Sequence, residues 1–151
     1  MFNRLKQNHY ISSVRRDGYK LEKVPEQLQT LEICMEAVKQ CSDALQYVIN
    51  QTPKICITAI ENDPHALKYV RDKTYDICLA AVSLDGTVII HVPEKLYRAE
   101  LWLTVYKSEF CKSLNVQHVK KKIIGCLYYD QTSRFYNIPV NLNTIIFWYI
   151  S

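Results

Sequence analysis

Ile55-Cys56-Ile57-Thr58-Ala59-Ile60 is the stretch on which the fold turns, because it occurs three times. Ile33-Cys34-Met35-Glu36-Ala37-Val38 stands 22 residues before it and Ile77-Cys78-Leu79-Ala80-Ala81-Val82 stands 22 after it. A second block follows each copy: Ala44-Leu45-Gln46-Tyr47-Val48, Ala66-Leu67-Lys68-Tyr69-Val70 and the looser Val88-Ile89-Ile90-His91-Val92. Self-similarity at a fixed period of this size is the mark of a stacked repeat, in which each unit is one supersecondary element.

Weaker copies lie on both sides. Tyr19-Lys20-Leu21-Glu22-Lys23-Val24 repeats the second block upstream, and Leu101-Trp102-Leu103-Thr104-Val105-Tyr106 stands where the next first block belongs. Val92-Pro93-Glu94-Lys95-Leu96 echoes Val24-Pro25-Glu26-Gln27-Leu28, and these two connections are longer, making the outer units 24 residues instead of 22. The array is expected over residues 1–112, with degenerate first and last units.

Each unit reads as two short helices. Cys34, Ala37, Val38 and Cys41 follow the i, i+3, i+4, i+7 spacing of one helical face, and Leu45 with Val48 forms a second, shorter one. Asp63-Pro64 is a helix start, the aspartate capping and the proline taking the first helical position; Asn50-Gln51-Thr52-Pro53 closes one unit and opens the next. Ile33 and Met35 make the first helix apolar on more than one side, so neighbours must cover it on both. A single unit buries too little apolar area to offset the ordering of its own backbone, so adjacent copies share a core. The expected class is mainly α, with helical hairpins stacked as a small solenoid.

Residues 113–151 form a separate extension expected to pack on the last repeat. Ile123-Ile124-Gly125-Cys126-Leu127-Tyr128-Tyr129, Arg134-Phe135-Tyr136-Asn137-Ile138 and Thr144-Ile145-Ile146-Phe147-Trp148-Tyr149-Ile150 are rich in β-branched and aromatic residues and are separated by turn residues. A small antiparallel β-meander is one reading of this segment, and further helices are the other.

The wording of the repeat resembles a known family. Val24 to Gln40, "VPEQLQTLEICMEAVKQ", and Gln51 to Ile60 followed by Ala66 to Val70 are similar to the tandem repeats called domain of unknown function 4116, which read like "ALQYV…QTPEICLEAVKQNG". The resemblance covers about two thirds of the chain and implies an architecture without any catalytic residue. It also implies a source among AT-rich bacteria, their phages or large DNA viruses. The chain departs from the pattern after Phe110, and Ser42 and Pro64 replace the usual glycine at the unit midpoint.

With 151 residues and three glycines, the chain has room for one folded domain and none for a Gly-rich nucleotide cradle. The start, Met1 to His9, lacks the apolar core and small-residue cleavage site of a signal peptide, and the longest apolar run is six residues, Ile145 to Ile150. The expectation is a cytoplasmic protein, of a bacterium or of a host cell if viral, with no membrane partner. Six cysteines then read as free thiols, three of them, Cys34, Cys56 and Cys78, in one repeat register as small buried side chains. Neighbouring helices of a stack sit too far apart for disulfides, and no zinc spacing is present. His9, His65, His91 and His118 lie in different registers and read as structural. No metal or other cofactor is expected, and no enzyme.

Charge is distributed unevenly. Residues 1–30 carry six basic and three acidic groups, 31–100 seven and ten, and 101–151 six and two, so an acidic repeat body lies between basic ends within a net charge of +4. Arg15 and Arg16, and Lys120, Lys121 and Lys122 with Tyr128 and Tyr129 near them, are the candidate binding residues. The expected function is a non-enzymatic protein-binding module. In its sharper form this is a small phage- or virus-type inhibitor of a nucleic-acid-handling defence protein such as an RNA-guided nuclease, the partner being a protein or a nucleoprotein complex. Direct single-stranded nucleic-acid binding through the basic ends, and an immunity or toxin-neutralising role, are the alternatives.

Overall fold

The computed structural model of the chain describes residues 2–107, and every regular element among them is helical. Five α-helices follow one another: α1 (Phe2–Arg16), α2 (Leu31–Gln40), α3 (Pro53–Asn62), α4 (Tyr75–Leu84) and α5 (Ala99–Lys107). Each is joined to the next through a six-residue 3-10 helix: Gly18–Lys23, Ser42–Tyr47, Pro64–Tyr69 and Gly86–His91. The two longer connections add a three-residue 3-10 turn, Glu26–Leu28 and Glu94–Leu96, at the two sites where Val-Pro-Glu-x-Leu occurs. α-Helices pack on their sequence neighbours and the 3-10 helices do likewise, which makes a two-layered stack of repeats. The β-meander expected for the extension lies outside the described residues.

Local chemistry explains the boundaries. Thr30, Thr52 and Thr74 cap α2, α3 and α4, each hydroxyl accepting the N–H of the isoleucine three residues on, and Pro53 opens α3 where a missing N–H costs nothing. Each of these helices ends at an extended residue, Cys41, Asp63 or Asp85, which is also the N-cap of the 3-10 helix that follows. Asp63 and Asp85 accept the N–H two residues on at 2.9 and 2.8 Å, and Asp17 does the same for Tyr19 at 3.1 Å. At these three junctions an Asx turn starts the chain in i→i+3 bonding, whereas Ser42–Tyr47 is 3-10 without one, its N-cap Cys41 making no side-chain cap bond; what the four junctions share is an extended cap residue before the 3-10 arm.

The core repeats as the sequence does. Ile33, Cys34, Ala37 and Val38 are buried on α2, and the same four positions are buried on α3 and α4. On the 3-10 layer Ala44, Leu45 and Val48, with their counterparts Ala66, Leu67 and Val70, are at most 2% exposed. In α5 Leu101, Trp102 and Val105 fill the corresponding sites, and Tyr97 meets the Trp102 ring edge-on at 5.2 Å between centroids.

Polar contacts between units are also in register. The ends of α2 and α3 reach back to the start of the preceding 3-10 helix: Gly18 N donates to Gln40 Oε1 at 2.6 Å, and Asn62 Nδ2 donates to Ser42 Oγ at 2.8 Å. At the third junction Pro64, which has no N–H, is matched by apolar Leu84. Gln29 and Gln51, 22 residues apart, clamp the loops in the same way, the amide donating to Tyr47 O and Tyr69 O while its oxygen accepts the N–H of Ile49 and Arg71. At the next junction the acceptor-seeking position is Pro93, and the side chain at the glutamine site is Lys73, which donates to Val70 O instead.

Candidate protein-docking surface

Burying one face of each α-helix leaves the opposite face as an outer wall. Met35, Ile57, Leu79 and Leu103 occupy one register of that wall and stay partly or well exposed, Ile57 at 36%. The flanking residues differ from helix to helix. On α2 the wall carries Glu36 and Lys39, and Glu36 pairs with Arg15 from α1 at 2.6 Å and with Lys39 at 3.5 Å. The Arg15 hydrogen bond holds the Glu36 carboxyl below the usual carboxylate range, against a smaller upward push from burial.

On α4 the corresponding positions are Ala80 and Ser83, and the small side chains open a groove of about 470 Å³ against α5. Asp76, Leu79, Ala80 and Ser83 line it from α4, and Glu100 and Thr104 from α5. Tyr75, next to Asp76, donates its hydroxyl to Glu100 Oε2 at 3.0 Å while the Arg98 guanidinium lies 4.2 Å from its ring centroid. Burial and the Glu100 contact push the Tyr75 hydroxyl up to about 12, so it remains a donor at any physiological pH. Neither Asp76 nor Glu100 has a cation within 4 Å among the described residues.

The 3-10 layer presents a different surface, laced by contacts between units. Lys68 Nζ lies 3.7 Å from Asp43, His65 Nε2 lies 3.3 Å from Asp85, and Tyr19 donates to Asp43 at 3.3 Å while meeting Tyr47 edge-on. The Tyr19 hydroxyl is pushed up to about 12, first by Cys41 and then by Asp43. Ile90, at 76% exposure, is the largest apolar projection of this layer.

Of the predicted binding residues, Arg15 and Arg16 sit at the end of α1 and are exposed. Arg15 is engaged by Glu36, and Arg16 Nε donates to the Ser12 carbonyl at 3.2 Å. Lys120, Lys121, Lys122, Tyr128 and Tyr129 lie outside the described residues, as do Cys111, Cys126 and His118. The in-register cysteines Cys34, Cys56 and Cys78 are free and buried, and burial raises each thiol, which keeps them protonated and unreactive. Among the described residues no three His, Cys, Asp or Glu side chains come together as a metal site, and no helix is long and apolar enough to cross a membrane.

The glutamine clamp and the α4–α5 groove were not anticipated from sequence. The clamp has a signal, Gln-Thr recurring 22 residues apart before two helices; the groove has a fainter one, small Ala80 and Ser83 where α2 has Glu36 and Lys39 and α3 has Thr58 and Glu61. No curated protein and no solved structure matches the chain. The family described as Domain of unknown function (DUF4116) does: its model matches residues 10–51, the span from the middle of α1 through the 3-10 helix Ser42–Tyr47 to the residue before the α3 cap.

Proposed function

We propose that the chain is a non-enzymatic protein-binding module that docks through its outer α-helical wall. The observation that carries this reading is the in-register row Met35, Ile57, Leu79 and Leu103, apolar side chains spaced one per unit, of which Ile57 is exposed and the other three are partly so, Met35 and Leu79 resting on the core. Stacked helical repeats offer extended surfaces of this kind, to which each unit adds a similar contact. The acidic repeat body favours a partner whose exposed surface is basic, as that of a nucleic-acid-handling protein is, and the small size suits an inhibitor that occludes such a surface. Direct nucleic-acid binding through Arg15 and Arg16 draws less support, because Glu36 already neutralises Arg15.

The immobilised full chain should retain one stoichiometric protein from a native lysate, with retention surviving nuclease treatment and lost in Ile57→Glu. The same chain should slow cleavage by a susceptible RNA-guided nuclease. Capture that depends on nucleic acid, or that ignores Ile57→Glu, defeats the docking reading. Unchanged cleavage across a panel of such nucleases defeats the inhibitor reading.

A further inference from the structure

We infer that the groove between α4 and α5 is the point of the outer wall that receives a lysine- or arginine-bearing segment of the partner protein. This inference rests on the docking reading above and names its contact. Three observations converge on it. The groove exists because Ala80 and Ser83 are small where α2 carries Glu36 and Lys39, so space is left at one junction of the wall. At about 470 Å³ it accommodates a few side chains and not a whole domain, which fits a protruding segment. Leu79 and Ala80 give it an apolar lining, while Asp76 lines it from α4 and Glu100 from α5 with no cation within 4 Å among the described residues.

The contrast with α2 is informative. There the wall carboxylate, Glu36, is satisfied internally by Arg15 and Lys39. Beside the groove Arg98 is stacked on the Tyr75 ring, and the Glu100 carboxylate accepts from the neutral Tyr75 hydroxyl. An apolar lining between two carboxylates that no described cation pairs suits the aliphatic stem and charged head of lysine or arginine, the stem lying on Leu79 and the head reaching Asp76 or Glu100. A nucleic acid would be repelled by the same carboxylates.

The probe is a synthetic amphipathic peptide of leucine, lysine and arginine, titrated into the full chain and followed by backbone amide NMR. Its counterpart with glutamate in place of the basic residues is the control. The inference expects shifts centred on Ala80, Ser83 and Thr104, an affinity that falls at least about tenfold in Ser83→Lys and clearly in Asp76→Asn, and weakening with added salt. Both substituted residues are exposed, and an unchanged melting temperature verifies that each variant is folded. No shifts up to millimolar peptide, shifts centred elsewhere, equal binding of the glutamate peptide, or indifference to both variants overturns it. So does self-association of the chain that Ser83→Lys abolishes, since the groove would then be filled by a second copy. A partner retained by wild type and by Ser83→Lys alike removes the groove assignment while leaving the docking reading in place.

Discussion

The side-chain oxygen of Gln51 accepts the backbone N–H of Arg71 at 2.9 Å, from 20 residues away, tying the loop before α3 to the loop before α4. The same side chain donates to Leu45 O and Tyr69 O, both at 3.0 Å, so one amide spans the ends of two 3-10 helices. Arg71 returns the contact, its guanidinium donating to Ile49 O at 2.8 Å. The hydrophobic core binds helix to helix, and this clamp sets the spacing of the loops between them.

Replacing Gln51 by alanine removes three neutral hydrogen bonds at a half-buried site, and at roughly 1 kcal/mol net each, less partial rescue by water, the expected loss is about 2 kcal/mol. Gln51→Lys imports the residue that stands at this position before α4, which keeps a donor and loses the acceptor. It should cost about half as much. Chemical denaturation with matched slopes measures both, and equal stability of the three proteins would mean that the clamp is incidental to the stack.

Gly18 begins its 3-10 helix pressed against the end of α2. A Cβ there would stand 2.6 Å from the Ala37 carbonyl oxygen and 2.9 Å from Gln40 Oε1, and the Gly18 N–H already donates to that same side chain. Gln40 can swing away but the Ala37 carbonyl is helix backbone, so Gly18→Ala must push the start of the Gly18–Lys23 3-10 helix away from α2. The expected loss is about 2 kcal/mol or more, since overpacking of this kind moves backbone. Adding Gln40→Ala should not restore stability; full recovery in the double variant would place the strain on the glutamine instead.

Much of this architecture was legible because repetition supplies its own alignment. Ile33, Ile55 and Ile77 mark equivalent sites without reference to any structure, and Thr52-Pro53 and Asp63-Pro64 mark helix starts by their capping chemistry. The 3-10 geometry was not legible, since Ala44, Leu45 and Val48 fall on one side of either kind of helix over so few residues. Asp63 and Asp85 read in sequence simply as caps, and Cys41, which precedes the same 3-10 arm with no side-chain cap bond, gives no signal at all. The outer wall was harder still. Glu36 and Asp76 are both wall carboxylates, and only their neighbours in space, Arg15 in one case and an open groove in the other, separate a paired charge from one with no cation beside it among the described residues. The Arg15–Glu36 pair is equally invisible in sequence, because it lies 21 residues along the chain and crosses from one helix to another.

His91 carries the clearest pH dependence of the 3-10 layer. It stands in the register of Tyr47 and Tyr69, and burial, followed by the positive fields of His65, Lys68 and Lys73, lowers its affinity for a proton below the ordinary histidine value of 6.5. The unfolded chain therefore binds this proton more readily than the folded one, and stability rises with pH across that interval. The contribution is present in full above about pH 6.5, is lost as pH falls toward the folded value, and levels off below it. His91→Tyr, which restores the residue of the two preceding units, removes the titration. Melting temperatures of wild type and variant should therefore diverge steadily as pH is lowered from 7.5 to 5.5, roughly one unit on either side of the histidine midpoint. Parallel curves would show that the proton is held as readily in the folded stack as in the open chain, and that the cations from Lys68 and Lys73 are screened from the ring.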